Sequence, residues 1–161
     1  MILFLDFDGV LHPDPCIDAM RLFEQAGRLS EVLERFPEVG VVLSTAWRAK
    51  REEDELLALL PESLRTRVIG VTPRFDRAAT APARVPYPRH AEIERWLELH
   101  DMRDASWWAL DDRADLFAPY CENLLLCDAS IGFDAEMAER LRSVLSLARA
   151  RAARDVDFLL V

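Results

Sequence analysis

The chain opens with MILFLDFDGVLHPD, and that stretch limits what the rest can be. Ile2, Leu3, Phe4 and Leu5 show no polar face, so they read as a strand buried on both sides. The run stops at Asp6, Phe7, Asp8 and Gly9. Two carboxylates one residue apart, followed by a glycine suited to a tight turn, do not serve a core. A strand covered on both faces belongs to an open α/β sheet, whose ligands bind beyond the carboxyl ends of the strands. The first strand therefore predicts both an architecture and the place of a site.

Later segments repeat the pattern. His12-Pro13-Asp14-Pro15 is turn chemistry, because each proline disfavours helix for the residue before it. Residues 17–26 fit no single pattern. Leu29, Val32, Leu33 and Phe36 recur at helical spacing and predict a helix over 27–36, which Pro37 ends. Residues 39–43 form a second apolar strand closed by Ser44 and Thr45. A helix over 52–60 and a third strand over 67–71 follow. Residues 72–88 carry four prolines and form a long irregular loop, a kind that is usually functional or mobile. A helix over 89–100 leads to a fourth strand, Trp107 to Leu110, ending in Asp111 and Asp112. The fifth strand, 123–127, ends in Asp128, and a helix opens after Asp134, a good N-cap residue. The apolar tail, 155–161, reads as either an added strand or a partner contact.

Strands alternating with helices imply βαβ crossovers and a parallel sheet. The expected fold is a three-layer α/β sandwich with a Rossmann-like sheet of about five strands, in a single domain over 1–161.

Composition narrows the function classes. No apolar run approaches the roughly 20 residues of a membrane span, and Asp6 interrupts the first one too early for a signal peptide. Cys16, Cys121 and Cys127 have no metal-binding spacing and read as reduced thiols of a cytoplasmic protein. A formal charge of -9 argues against indiscriminate nucleic-acid binding and admits nucleic acid only as a substrate. Arg65, Arg67, Arg74, Arg77, Arg84 and Arg89, against Glu62 and Asp76, make a locally basic stretch suited either to a phosphorylated ligand or to plain solvation.

In a parallel sheet the ends carrying Asp6, Asp8, Ser44, Thr45, Asp111 and Asp112 fall on one edge. Four carboxylates gathered there raise one another's pKa unless a cation is present. Oxygen donors of this kind suit Mg²⁺, which takes one or two carboxylates, waters and a substrate phosphate.

These residues resemble the haloacid dehalogenase superfamily of phosphohydrolases. Its first motif, a strand followed by DxD, is matched by Asp6-Phe7-Asp8-Gly9-Val10. Its second, an apolar strand ending in Ser or Thr, is matched by VVLS with Ser44. Arg89 in PRHAEIERWL fits the third, and WALDD, with Asp111 and Asp112, fits the acidic fourth. LSTAWR and the DD strand look more narrowly like a cap-poor branch that includes phosphatase-like domains attached to RNA-repair proteins. The resemblance implies that Asp6 is a nucleophile forming an aspartyl-phosphate and Asp8 the general acid and base. It implies that Ser44 and Arg89 bind the phosphoryl group, and that Mg²⁺ is held by Asp6, the Asp8 carbonyl, Asp111 and Asp112. Thr45 is either a cap or a phosphate ligand. Arg48 reads as a surface ion pair before a phosphate contact, and Lys50 is a second choice for the role of Arg89. His12 reads as a turn residue, and Trp47 and the other tryptophans as packing.

Between the first and second motifs, and between the second and third, there is too little chain for a large cap domain. An open site suits large or protruding phosphates, among them nucleic-acid ends. The expected activity is Mg²⁺-dependent phosphomonoester hydrolysis. The alternatives are phosphotransfer through the same intermediate and a non-catalytic module that binds a phosphorylated ligand or a partner.

Overall fold

The computed structural model describes residues 1–74 and 85–159, with side chains as far as Arg154. Five strands, β1 (Ile2–Leu5), β2 (Gly40–Leu43), β3 (Val68–Val71), β4 (Trp107–Asp111) and β5 (Leu124–Leu126), form one sheet in the order β3-β2-β1-β4-β5. Every pairing is parallel. The chain steps outward from β1 to β2 and β3, then returns to its other side at β4. That reversal between β1 and β4 is the switch point at which open α/β sheets place their ligands.

Alternation along β1 assigns the two faces. Leu3 and Leu5 join the larger core with Leu29, Val32 and Leu33 of α1 (Ala26–Glu34) and with Leu141 and Leu145 of α5 (Ala135–Leu159). Leu56 of α2 (Glu53–Ala58) and Leu64 of α3 (Glu62–Arg65) complete that side. Ile2 and Phe4 face the other way, onto Ile93, Trp96 and Leu97 of α4 (Pro88–Leu99). The result is the expected three-layer α/β sandwich, with helices on both faces. Neither crossover carries a large cap among the described residues.

One reading needs correction. Residues 155–159 continue α5 and are not an added strand. The apolar stripe fades after Ala148, but Ala and Arg are strong helix formers and carry the helix on. The unassigned segment before α1 holds a short 3-10 turn, Ala19–Arg21, capped by the Asp18 side chain. Most of the proline-rich loop lies outside the described residues. Among those described, no helix is long and apolar enough to cross a membrane.

Phe4 is fully buried and meets the rings of Trp96 and Trp107 edge-on, each at 5.7 Å. Phe4→Ala removes both contacts and leaves a cavity, so urea unfolding should show a loss of about 3–5 kcal/mol. Leu147→Ala, on the exposed side of α5, should change stability by about 0.5 kcal/mol or less.

Candidate active site

Strand register builds the site. Leu5 pairs with Leu43 on one side and Leu110 on the other, and Leu43 pairs with Val71. The next residues, Thr72, Ser44, Asp6 and Asp111, therefore form a row across the carboxyl edge of four strands. Backbone hydrogen bonds extend the ladder to them: Thr72 N–H donates to Leu43, Ser44 N–H to Leu5 and Asp6 N–H to Leu110.

Asp6 is buried at the centre of this row. Its Oδ1 accepts from the Phe7 N–H at 2.7 Å, and its Oδ2 accepts from Arg89 Nη1 at 2.8 Å. The same Arg89 nitrogen donates to Asp111 Oδ2 at 2.8 Å and to the Ser44 carbonyl. Asp111 also accepts from the Arg113 N–H, and Asp112 stands half-buried beside it. Carboxylate oxygens of Asp6, Asp111 and Asp112 all lie within 4.8 Å of one another. Burial raises Asp6 above the usual carboxylate value, against the pull of Arg89. Burial likewise pushes Asp111 up to about 7, with Arg89 opposing and the Asp6 charge adding to the rise. Asp112 is raised by burial and then by Asp6.

Three clustered carboxylates against one guanidinium leave net negative charge in a desolvated place. All the donors are hard oxygens, so the set fits a divalent cation such as Mg²⁺, with Asp6, Asp111 and Asp112 as the side chains to hold it. Gly9, at φ +65°, passes directly beneath Asp112, where a Cβ would come within 2.5 Å of the carboxyl group. The glycine is thus required by the turn and by the close approach together.

The fourth carboxylate stands apart from that cluster. Asp8 has its Oδ1 held by His12 Nε2 at 3.1 Å and its Oδ2 by Trp47 Nε1 at 2.8 Å. An ionised carboxylate only accepts, so His12 carries its proton on Nε2, and its Nδ1 is buried without a partner. The His12 hydrogen bond holds Asp8 below the usual carboxylate range. Sequence reasoning gave His12 to the turn and Trp47 to packing, and both touch a candidate catalytic group. The four-residue spacing from Asp8 to His12 and the indole donor three residues after Ser44 were the available signals.

Ser44 Oγ is buried and has no hydrogen-bond partner. Thr45 is fully buried and caps the 3-10 turn Ala46–Ala49 through the Trp47 N–H. Arg48 is not a surface ion pair. It is nearly buried, pairs with Glu92 and donates to the Thr45 carbonyl at 2.5 Å. Glu92, one turn after Arg89 on α4, was missed because nothing in the sequence links it to Arg48. Lys50 is exposed and away from the carboxylates that Arg89 bridges. The basic stretch does not form one patch. Arg89 enters the site, Arg67 donates to the Phe36 carbonyl at the opposite sheet edge, and Arg77 and Arg84 lie outside the described residues. Asp128 caps its own turn through Ser130. A cavity of about 560 Å³ lies at Trp107, where β4 begins, at the end of the strand opposite Asp111.

A DxD turn at the switch point, a polar second strand end, an arginine at a helix start and an acidic fourth strand end define a haloacid dehalogenase-type domain. Residues 2–138 match the family described as the HAD domain in Swiss Army Knife RNA repair proteins, and the chain belongs to that family. No curated protein and no solved structure matches it.

Asp111 has a consequence for stability. Its folded pKa, about 7, lies above its ordinary 3.8, so the folded state binds the extra proton. Its contribution to stability therefore grows as pH falls from about 7 toward 3.8, and is unfavourable above that window. In EDTA, the Tm of the wild type should fall between about pH 6 and pH 8 more than that of Asp111→Asn. Mg²⁺ should raise Tm more at the higher pH, with the gain reduced in the variant.

Proposed function

We propose that the protein hydrolyses phosphomonoesters through an aspartyl-phosphate on Asp6, with Mg²⁺ as cofactor. Asp6 carries this reading. It is a buried carboxylate at the switch point, ringed by Asp111, Asp112 and Arg89, beside a buried serine hydroxyl with no partner. Two carboxylates that attract a cation and one guanidinium around Asp6, next to an unused donor, suit an anionic electrophile better than a structural role.

In the first half-reaction an Asp6 oxygen attacks phosphorus; Asp8, ionised in the free site, takes up a proton from solvent or from a phosphate monoanion as the anionic substrate binds, and passes it to the leaving oxygen. The Ser44 hydroxyl donates to a phosphoryl oxygen, and Arg89 balances charge on the phosphoryl group as it transfers. In the second half, Asp8 takes a proton from water, which attacks phosphorus and frees Asp6. His12 and Trp47 hold both Asp8 oxygens, fixing the direction in which that proton moves. Bound Mg²⁺ supplies charge neutralisation that lets an anionic nucleophile approach an anionic phosphate.

The substrate class follows from the open edge. With no large cap over the site among the described residues, protruding phosphates gain access, and the family's place in RNA-repair proteins supports a nucleic-acid end.

Phosphate release should require Mg²⁺ across a panel of nucleotides, sugar phosphates, phosphopeptides and end-phosphorylated oligonucleotides. It should vanish in EDTA and in Asp6→Asn. Asp8→Asn should reduce turnover about 10²–10⁴-fold, the usual worth of a positioned general acid and base. A folded, Mg²⁺-supplied protein that releases no phosphate from any member would refute the proposal.

A further inference from the structure

A second cavity, about 200 Å³, opens beside the active-site row. It runs between the 3-10 turn after β2, the start of α2 and the end of β3, and Arg48, Arg51, Thr72 and Arg74 line it with Glu52 and Glu53. Thr72 belongs to the catalytic row, two strands from Asp6. At about 4.8 Å per strand, its main chain lies about 10 Å from that of Asp6. Trp47 joins the two places. Its indole N–H reaches Asp8, while the Arg51 guanidinium lies 5.4 Å from its ring centroid.

Among the described residues, neither Arg51 nor Arg74 pairs with a carboxylate, and the one hydrogen bond of Arg74 is a long one, 3.5 Å, to the Ala49 carbonyl. Arg48 is about nine-tenths buried, and although Glu92 engages one end of its fork, its Nε has no partner. Of the acids, Glu52 already accepts a backbone N–H in the capping box that starts α2. With Arg48 paired to Glu92, the two guanidiniums of Arg51 and Arg74 stand against Glu52 and Glu53, a balanced lining in a chain of net charge -9.

We infer that this groove binds a second phosphate of the substrate, about 10 Å from the one transferred to Asp6, through Arg51, Arg74 and the buried Arg48. The inference rests on the phosphomonoesterase reading and deepens it by making the preferred substrate one with two separated phosphates. A strand of nucleic acid offers one charge per roughly 3.4 Å of rise, so a phosphodiester a few nucleotides from a terminal phosphate meets this spacing. The remote phosphate of a small bisphosphate is the other source of the same chemistry.

The test compares wild type with Arg51→Ala/Arg74→Ala, both side chains being exposed, on three substrates with Mg²⁺: an end-phosphorylated pentanucleotide, a sugar bisphosphate and phenyl phosphate. The double variant should lose about tenfold more kcat/KM on the pentanucleotide than on phenyl phosphate. Its log–log salt dependence on the pentanucleotide should be shallower by about 1.4, for two lost contacts to a single strand. A matching loss on the sugar bisphosphate assigns the groove to small substrates as well, and no such loss assigns it to the polymer. Equal selectivity in both proteins overturns the inference while leaving hydrolysis standing. If no substrate is turned over, the phosphatase reading fails separately. The groove is then judged by fluorescence anisotropy of the labelled pentanucleotide, and equal affinity for both proteins overturns it.

Discussion

Arg89 between Asp6 and Asp111 is the interaction on which the site depends. Two carboxylates from adjacent strands are buried within reach of one guanidinium nitrogen, and each oxygen it touches comes from a different part of the chain. Removing one partner of a buried pair commonly costs about 3–5 kcal/mol, because the charge left behind has no water to return to. The arginine arrives there because Pro88 opens α4 at its first turn, where a missing N–H costs nothing. The start of α4 also brings the positive end of its dipole toward the acidic edge. Helix, proline and arginine act together, and Glu92 one turn later extends the arrangement by fixing Arg48.

Asp8 is governed by different physics. It is half-exposed, and its support is aromatic as well as polar. Phe7, His12, Phe23 and Trp47 meet in a cluster of tilted and edge-on rings. That packing holds the imidazole and the indole in the orientations from which both can donate to Asp8. The two aspartates of the DxD turn thus sit one residue apart in different dielectric settings. Asp6 is desolvated and raised, whereas Asp8 is hydrogen-bonded and lowered. Such a split assigns distinct tasks to chemically identical groups.

The sheet was legible because a buried parallel strand must be apolar throughout, so Asp6, Ser44 and Asp111 stand out as the places where burial stops. Register alone then brings them together. Contacts that depend on how side chains leave the row were not legible. The donors on Asp8 come from a turn and from a 3-10 segment, neither of which has a periodicity to read. The Arg48–Glu92 pair joins residues 44 apart on different elements, and isolated charges in a sequence carry no pointer to their partners. The 155–159 segment misled for another reason: its side chains resemble a strand, while the Ala- and Arg-rich stretch before it had already committed the backbone to helix.

Charge balance sets the acidic edge apart from the groove beside it. Asp6, Asp111 and Asp112 exceed Arg89 by two charges, a deficit that one divalent cation removes. With that cation bound, these groups are balanced, and the ionised Asp8 keeps the edge negative, with nothing left to attract a second anion. Further affinity for a polyanion must then come from outside the row, and across β2 and β3 the nearest outside cations are Arg48, Arg51 and Arg74. Arg48 feels the Asp6 charge, but its ion pair is with Glu92. In the proposed arrangement, cations that follow β2 and β3 hold the second phosphate, apart from the groups around Asp6 that serve the chemistry.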